Sequence, residues 1–150
     1  MATAIDANSN QTLTLTDVLG RTVQVSRQVG KPGDPPCSDP ILGNWCVTTM
    51  SYDAAGRLLQ TTDPANNHVT FIYDGLGRKT SMTDPDMGTW TYEYDDNGNL
   101  ITQIDAKGQV IKMYYDVLNR IKRKDLPPND PFTAGSEDTT YFYDGEGPVP

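Results

Sequence analysis

The chain has 150 residues, 36% hydrophobic, 9% aromatic and 21% charged, with a formal net charge of −8. That length suits one domain, and the low apolar share argues against a large close-packed interior, while eight Tyr, two Trp and three Phe argue against disorder. A pI of about 4.4 leaves no basic face for nucleic acid, and no run reaches the roughly 18 apolar residues of a membrane span.

In chain order, the start "MATAIDANSNQTLTL" lacks the basic and apolar stretches of a secretory signal. Any address would then come from a larger protein. Asp6 and Asp17 lie eleven apart in "IDANSNQTLTLTDVLGR", with Thr16 just before the second. Leu13 and Leu15 alternate there, out of phase with the pattern that follows. An insertion near residues 30–45 comes next. It holds Cys37, with Trp45 and Cys46 at its end. A local Cys37–Cys46 disulfide is possible in an oxidising compartment, and free thiols in a reducing one.

From Tyr52 a repeat of 21 residues sets in. Tyr-Asp-x-x-Gly-Arg recurs as Tyr52, Asp53, Gly56 and Arg57, then as Tyr73, Asp74, Gly77 and Arg78. The third copy has Tyr94, Asp95 and Gly98 but Asn99 for Arg. The fourth has Tyr115, Asp116 and Arg120 but Asn119 for Gly. Midway lie Asp63-Pro64, Asp84-Pro85 and Asp105-Ala106. A fixed repeat must be read before anything else, because each copy is one structural unit. Asp caps a turn with its own side chain, and Gly supplies the positive φ that other residues resist; Asn is the best substitute. Asp-Pro presets φ at a second turn, which Asn67, Gly88 and Gly108 would complete.

Between the turns lie short strands. Val69, Phe71 and Tyr73 alternate with more polar residues, as do Trp90, Tyr92 and Tyr94, and Ile111, Met113 and Tyr115. Alternate residues share one face of a strand. Stacked copies would place Val69, Trp90 and Ile111 in one row, and Phe71, Tyr92 and Met113 in the next. The opposite face is mostly Thr, Glu and Lys, blurred by Ile72 and Tyr114. The basic "RIKRKD" and a Pro-containing insertion near 126–138 follow, and "YFYDGEG" closes the pattern with Tyr143-Asp144. Gly and Pro interrupt the chain too often for a helix of normal length. The expectation is an all-β fold, consecutive antiparallel β-hairpins in a curved open sheet, with residues 1–150 as one repeat domain.

Several copies of Tyr-Asp-x-x-Gly-Arg at a strict interval, with Asp-Pro between, resemble the YD repeats of Rhs proteins, from about Asp6 to Gly147. That family includes bacterial polymorphic toxins, the B and C components of insecticidal toxin complexes, and teneurins. The resemblance implies a section of a spiralling β-shell that in larger relatives encloses a toxin or effector domain. It implies as partners the remainder of such a shell or its enclosed effector, and a secreted or cell-surface setting within a larger protein. The aspartate-cleaved closing segment of the family has no counterpart here. An open section leaves two strand edges, which invite self-association.

The chemistry-bearing residues point away from catalysis. A general acid and base need two different environments, whereas Asp63, Asp84 and Asp105 occupy equivalent turns. "DDNGN" at 95–99 offers oxygen ligands, but neither a twelve-residue calcium loop nor a calcium β-roll repeat is present. His68, the single histidine, reads as solvated beside a turn. No cofactor, metal, nucleic-acid or enzymatic role is expected. The alternative is a binding module for carbohydrate or protein, with Trp90, Tyr92 and Trp45 as the candidate contact residues.

Overall fold

A computed structural model describes residues 2–5, 11–28, 45–126 and 139–143. Among them are twelve strands and no helix. The insertions near 30–45 and 126–138 lie outside the described residues except for Trp45 and Leu126, as do Asp6, Cys37 and Asp144.

The chain divides into two compact units, residues 1–72 with 84–86 and residues 73–83 with 87–150. Apart from the end residues Tyr73 and Asp84, the first holds β1 (Ala2–Ile5), β2 (Gln11–Thr16), β3 (Thr22–Gln28), β4 (Trp45–Tyr52), β5 (Leu58–Thr62) and β6 (His68–Tyr73). The second holds β7 (Lys79–Asp84), β8 (Gly88–Tyr94), β9 (Leu100–Ile104), β10 (Val110–Tyr115), β11 (Ile121–Asp125) and β12 (Thr139–Thr140). Within each unit every strand pairs with its neighbours in sequence, and the resolved registers are antiparallel. The expected all-β series of consecutive hairpins is what the chain forms.

The alternation of β8 is strict: Trp90, Tyr92 and Tyr94 are half-buried, while Thr89, Thr91 and Glu93 are exposed. In β10, Ile111, Met113 and Tyr115 are the shielded set. Among the described residues only Met113 and Ser26 are buried, each 7% exposed. Such units have little interior, so cross-strand pairs and turns must supply much of the order.

The registers correct the expected rows. In the second unit Tyr92 stands opposite Gln103, and Gln103 opposite Ile111. Ile111 therefore lines up with Tyr92, not with Trp90. In the first unit Met50, Thr61 and Val69 line up in the same way. Equivalent positions thus step by two residues per hairpin, about 6.7 Å along the strand. An even step keeps every side chain on its face, whereas a step of one would invert the sheet.

The blurring residues sit on the polar face as placed. Ile72 is 61% exposed. Tyr114 stands opposite Arg123, whose guanidinium carbon lies 5.2 Å from the ring centre. The Tyr114 hydroxyl donates to Asp125 Oδ2 at 3.0 Å, and Arg123 Nε donates to the other oxygen of that carboxylate. Leu13 stands opposite Ser26, and Ser26 opposite Val47. The out-of-phase leucine thus shares a row with Ser26 and Val47 on the face away from Tyr52.

Candidate functional site: the joint between hairpins

Each described Tyr-Asp turn is closed in the same way. The amide of Gly77 donates to the Asp74 carbonyl at 3.0 Å, and the Asp74 amide donates to the Arg78 carbonyl at 2.9 Å. Gly77 takes φ 84°, a conformation that costs a side-chain-bearing residue about 1–2 kcal/mol. Asp74 Oδ1 accepts from the amides of Leu76 and Arg78, both at 2.9 Å. The register slips by one residue just before the turns that begin at Asp17, Asp53, Asp95 and Asp116. This is a type I turn followed by a left-handed residue and a bulge. Asn119 holds the left-handed place at φ 61°, as expected. At the second landmark Asn66, not Asn67, has positive φ (64°). Asn67 instead donates its side-chain amide to Asp63 Oδ2 at 2.9 Å.

The aspartates also hold the arginines. Arg78 Nε donates to Asp74 Oδ2 at 2.6 Å, and the same contact joins Arg21 to Asp17, Arg57 to Asp53 and Arg120 to Asp116. Fixed in this way, an arginine reaches the next hairpin. Arg78 Nη1 donates to the Asp95 carbonyl at 3.0 Å, and its guanidinium lies over Tyr94 at 4.9 Å. Arg21 does the same to the Asp53 carbonyl, at 3.2 Å, and to the Tyr52 ring. Arg120 covers Tyr143.

The tyrosines reach back. Tyr94 donates its hydroxyl to the Lys79 carbonyl at 2.8 Å. Tyr52 reaches Thr22, Tyr115 reaches Leu100, and Tyr143 reaches Ile121. In each case the acceptor is the residue just after the Arg position of the preceding turn. Tyr, Asp, Gly and Arg therefore form one joint: Asp and Gly build the turn, while Arg and Tyr fasten it to its neighbour. In the third joint Asn99 stands in for Arg. Its Nδ2 donates to Asp95 Oδ2 at 2.9 Å and to Asn119 Oδ1 at 2.8 Å.

The electrostatics follow from these bonds. The Arg57, Arg78 and Arg120 backbone amides, then their guanidinium groups, hold Asp53, Asp74 and Asp116 below the usual carboxylate range. For Asp95 the Asn99 side-chain amide has the largest effect in the same direction. Burial raises the Tyr94 and Tyr115 hydroxyls above their ordinary value.

The other expected residues are placed as follows. Trp90 and Tyr92 share the shielded face of β8. Trp90 Nε1 donates to the Met87 carbonyl at 3.3 Å, and the Lys79 ammonium lies 4.6 Å from the Tyr92 ring centre. Trp45 opens β4 opposite Gln28 in the first unit. Cys46 is disulfide-bonded. His68 is exposed, and its Nδ1 sits 2.8 Å from Gln60 Nε2 and 3.0 Å from Thr62 Oγ1. Among the described residues no group of three or more His, Cys, Asp or Glu could hold a metal. Sequence reasoning did not find the fastening role of Arg and Tyr. The signal was present in the repeat itself, which sets Tyr94 16 residues after Arg78.

Residues 47–86 and 94–126 match the RHS Repeat family. The chain carries RHS repeats over those two stretches. No curated protein matches it. Among solved structures, the RHS-repeat chain is similar to TcdB2-TccC3, with TM-score 0.65 and 18% identity over 89% of this chain and 7% of that one. It is also similar to TcdB2-TccC3-TEV, with TM-score 0.63 and 18% identity over 81% and 6%. A Photorhabdus luminescens Tc holotoxin pore gives TM-score 0.59 and 18% identity over 85% and 6%. At that identity the likeness concerns the fold. The RHS-repeat chain spans only 6–7% of the length of these solved chains.

Proposed function

We propose that the chain is a non-enzymatic stretch of wall in an Rhs/YD-repeat β-shell of the kind that encloses a toxin or effector domain in larger relatives. The observation that carries this reading is the joint. Its residues are spent on fastening one hairpin to the next: Arg78 is held by Asp74 and lies over Tyr94. A surface built to bind would leave such groups unpaired. Residues 1–150 act as one YD-repeat domain, with the insertions near 30–45 and 126–138 as elaborations between hairpins. Its partners are the remainder of the shell or the enclosed effector, and its sheet edges support self-association. The setting is secreted or cell-surface, as part of a larger bacterial protein.

The test is imaging of the protein that carries this chain in its natural reading frame. A hollow particle with this stretch in its wall is expected, and a solid particle would overturn the reading. A glycan array run with the wild type and Trp90→Ala tests the binding alternative. Binding lost in the variant would favour a carbohydrate module.

A further inference from the structure

The two departures from the repeat, Asn99 for Arg and Asn119 for Gly, belong to different copies, yet they meet. We propose that the fifth residue of one Tyr-Asp turn and the fourth residue of the next form a matched pair that decides which hairpin can follow which. The pairs that carry the proposal are Arg21 with Gly56 and Asn99 with Asn119.

The Arg21 joint shows how a pair can be coupled, whereas at the Arg78 joint a Cβ on Gly98 would meet nothing within 4 Å. Arg21 reaches over the next turn to the Asp53 carbonyl and in doing so passes Gly56. A Cβ placed on Gly56 would lie 3.6 Å from Arg21 Nη1 and 3.9 Å from its Cδ. One carbon there would be in ordinary contact with the arginine, so a longer side chain must either point away from the guanidinium or displace it. Gly56 thus does two things: it takes φ 85°, and it clears the path of the preceding arginine.

Asn119 occupies the same place in the fourth copy and carries a side chain there. The residue facing it is not Arg but the shorter Asn99. Asn99 keeps the bond to its own aspartate, with Nδ2 to Asp95 Oδ2, which replaces the Arg Nε contact. It is too short to span to the next carbonyl in the way Arg78 does. Asn119 closes that gap by presenting Oδ1 to the same Nδ2. An amide nitrogen has two hydrogens, and here each has one acceptor. Asn119 is therefore more than a tolerable stand-in for glycine at φ 61°, since its side chain completes the joint. The exchange also changes the chemistry, replacing a charged clamp with an uncharged pair of amides.

A mismatched joint is expected to be weaker in either direction. Asn opposite Arg21 would bring a longer side chain up to the guanidinium, and Asn99 opposite Gly would give its second amide hydrogen to water. Near-identical hairpins risk packing one repeat out of order, and a joint that accepts only its own counterpart penalises that slip. The matched surface is thus an interaction determinant, and the neighbour it fits is a second Tyr-Asp hairpin of the corresponding type.

The test is a double-mutant cycle on the 150-residue chain, read as denaturation midpoints. Asn99→Arg and Asn119→Gly are compared with the double variant, and Arg21→Asn and Gly56→Asn with theirs. Each single change is expected to shift the midpoint by a different amount from the same change made with its partner, and each double variant to regain stability over its more damaged single parent. The coupling is diagnostic, because Asn119→Gly also releases the left-handed φ. The Asn99 side-chain amide protons are expected to exchange faster in Asn119→Gly, a change that relief of backbone strain alone would not cause. Effects that simply add in both joints, or an Asn99 amide indifferent to residue 119, would overturn the proposal.

Discussion

The guanidinium of Arg78 lies over the ring of Tyr94, 4.9 Å from its centre, and the two residues hold adjacent hairpins from opposite sides. Arg78 reaches forward to the Asp95 carbonyl, while Tyr94 reaches back to the Lys79 carbonyl. Tyr94→Phe keeps the ring and removes the hydroxyl. It should cost about 1 kcal/mol, the typical net worth of one hydrogen bond. Arg78→Ala removes the ring contact, the forward bond and the partner of Asp74 together, and should cost more. Urea denaturation of both variants checks the order. An Arg78→Ala midpoint above that of Tyr94→Phe would contradict the joint as described.

The acid limb follows from the aspartates. Asp53, Asp74, Asp95 and Asp116 all have folded pKa values below the ordinary 3.8. A lowered folded pKa contributes stability that is fully present above the unfolded value and is lost as pH falls through the folded one. The melting temperature should therefore be level through weakly acidic pH and fall below about pH 4. Asp74→Asn should lower stability at neutral pH and make the acid fall shallower. A melting temperature that rises on acidification would show that these carboxylates are not held as described.

Much of this architecture was legible because turn chemistry is local. Asp and Gly at fixed offsets dictate a left-handed residue and a capped loop, so the positions of Gly77 and Asn119 could be read directly. The alternation of Trp90, Tyr92 and Tyr94 likewise gave the shielded face of β8. The lateral step of two residues was not legible, because it depends on how the bulge before each turn adds to the pairing on the far side of the strand. Nor was the matching of Asn99 with Asn119, which joins residues 20 positions apart in copies that sequence alone treats as independent exceptions. Asn66 is distinguishable from Asn67 by offset alone, since it follows Asp63 as Gly77 follows Asp74 and Gly108 follows Asp105.

The Cys37–Cys46 disulfide that the sequence makes possible has a direct check. Cys46 is disulfide-bonded, and Cys37 is the other of the two cysteines. Alkylation without reductant should leave both thiols unlabelled, and alkylation after reduction should add two labels to a single chain. Two labels before reduction would exclude the Cys37–Cys46 bond.

The second landmark provides the sharpest separation of strain from crowding. Gly88 and Gly108 both have positive φ, 73° and 77°, so alanine at either meets a similar backbone penalty. Their surroundings differ. A Cβ on Gly88 would lie 2.5 Å from the Ala106 Cβ, whereas a Cβ on Gly108 meets nothing within 4 Å. Ala106 has no flexible end that could swing aside, so Gly88→Ala must push the backbone at Gly88 away from Ala106. Gly108→Ala should cost about 1 kcal/mol, the left-handed penalty alone, and Gly88→Ala should cost distinctly more. The difference between the two denaturation midpoints measures how tightly Gly88 is packed against Ala106. Equal losses would mean that the turn at Gly88 shifts freely, and that the hairpins are fastened only at their Tyr-Asp ends.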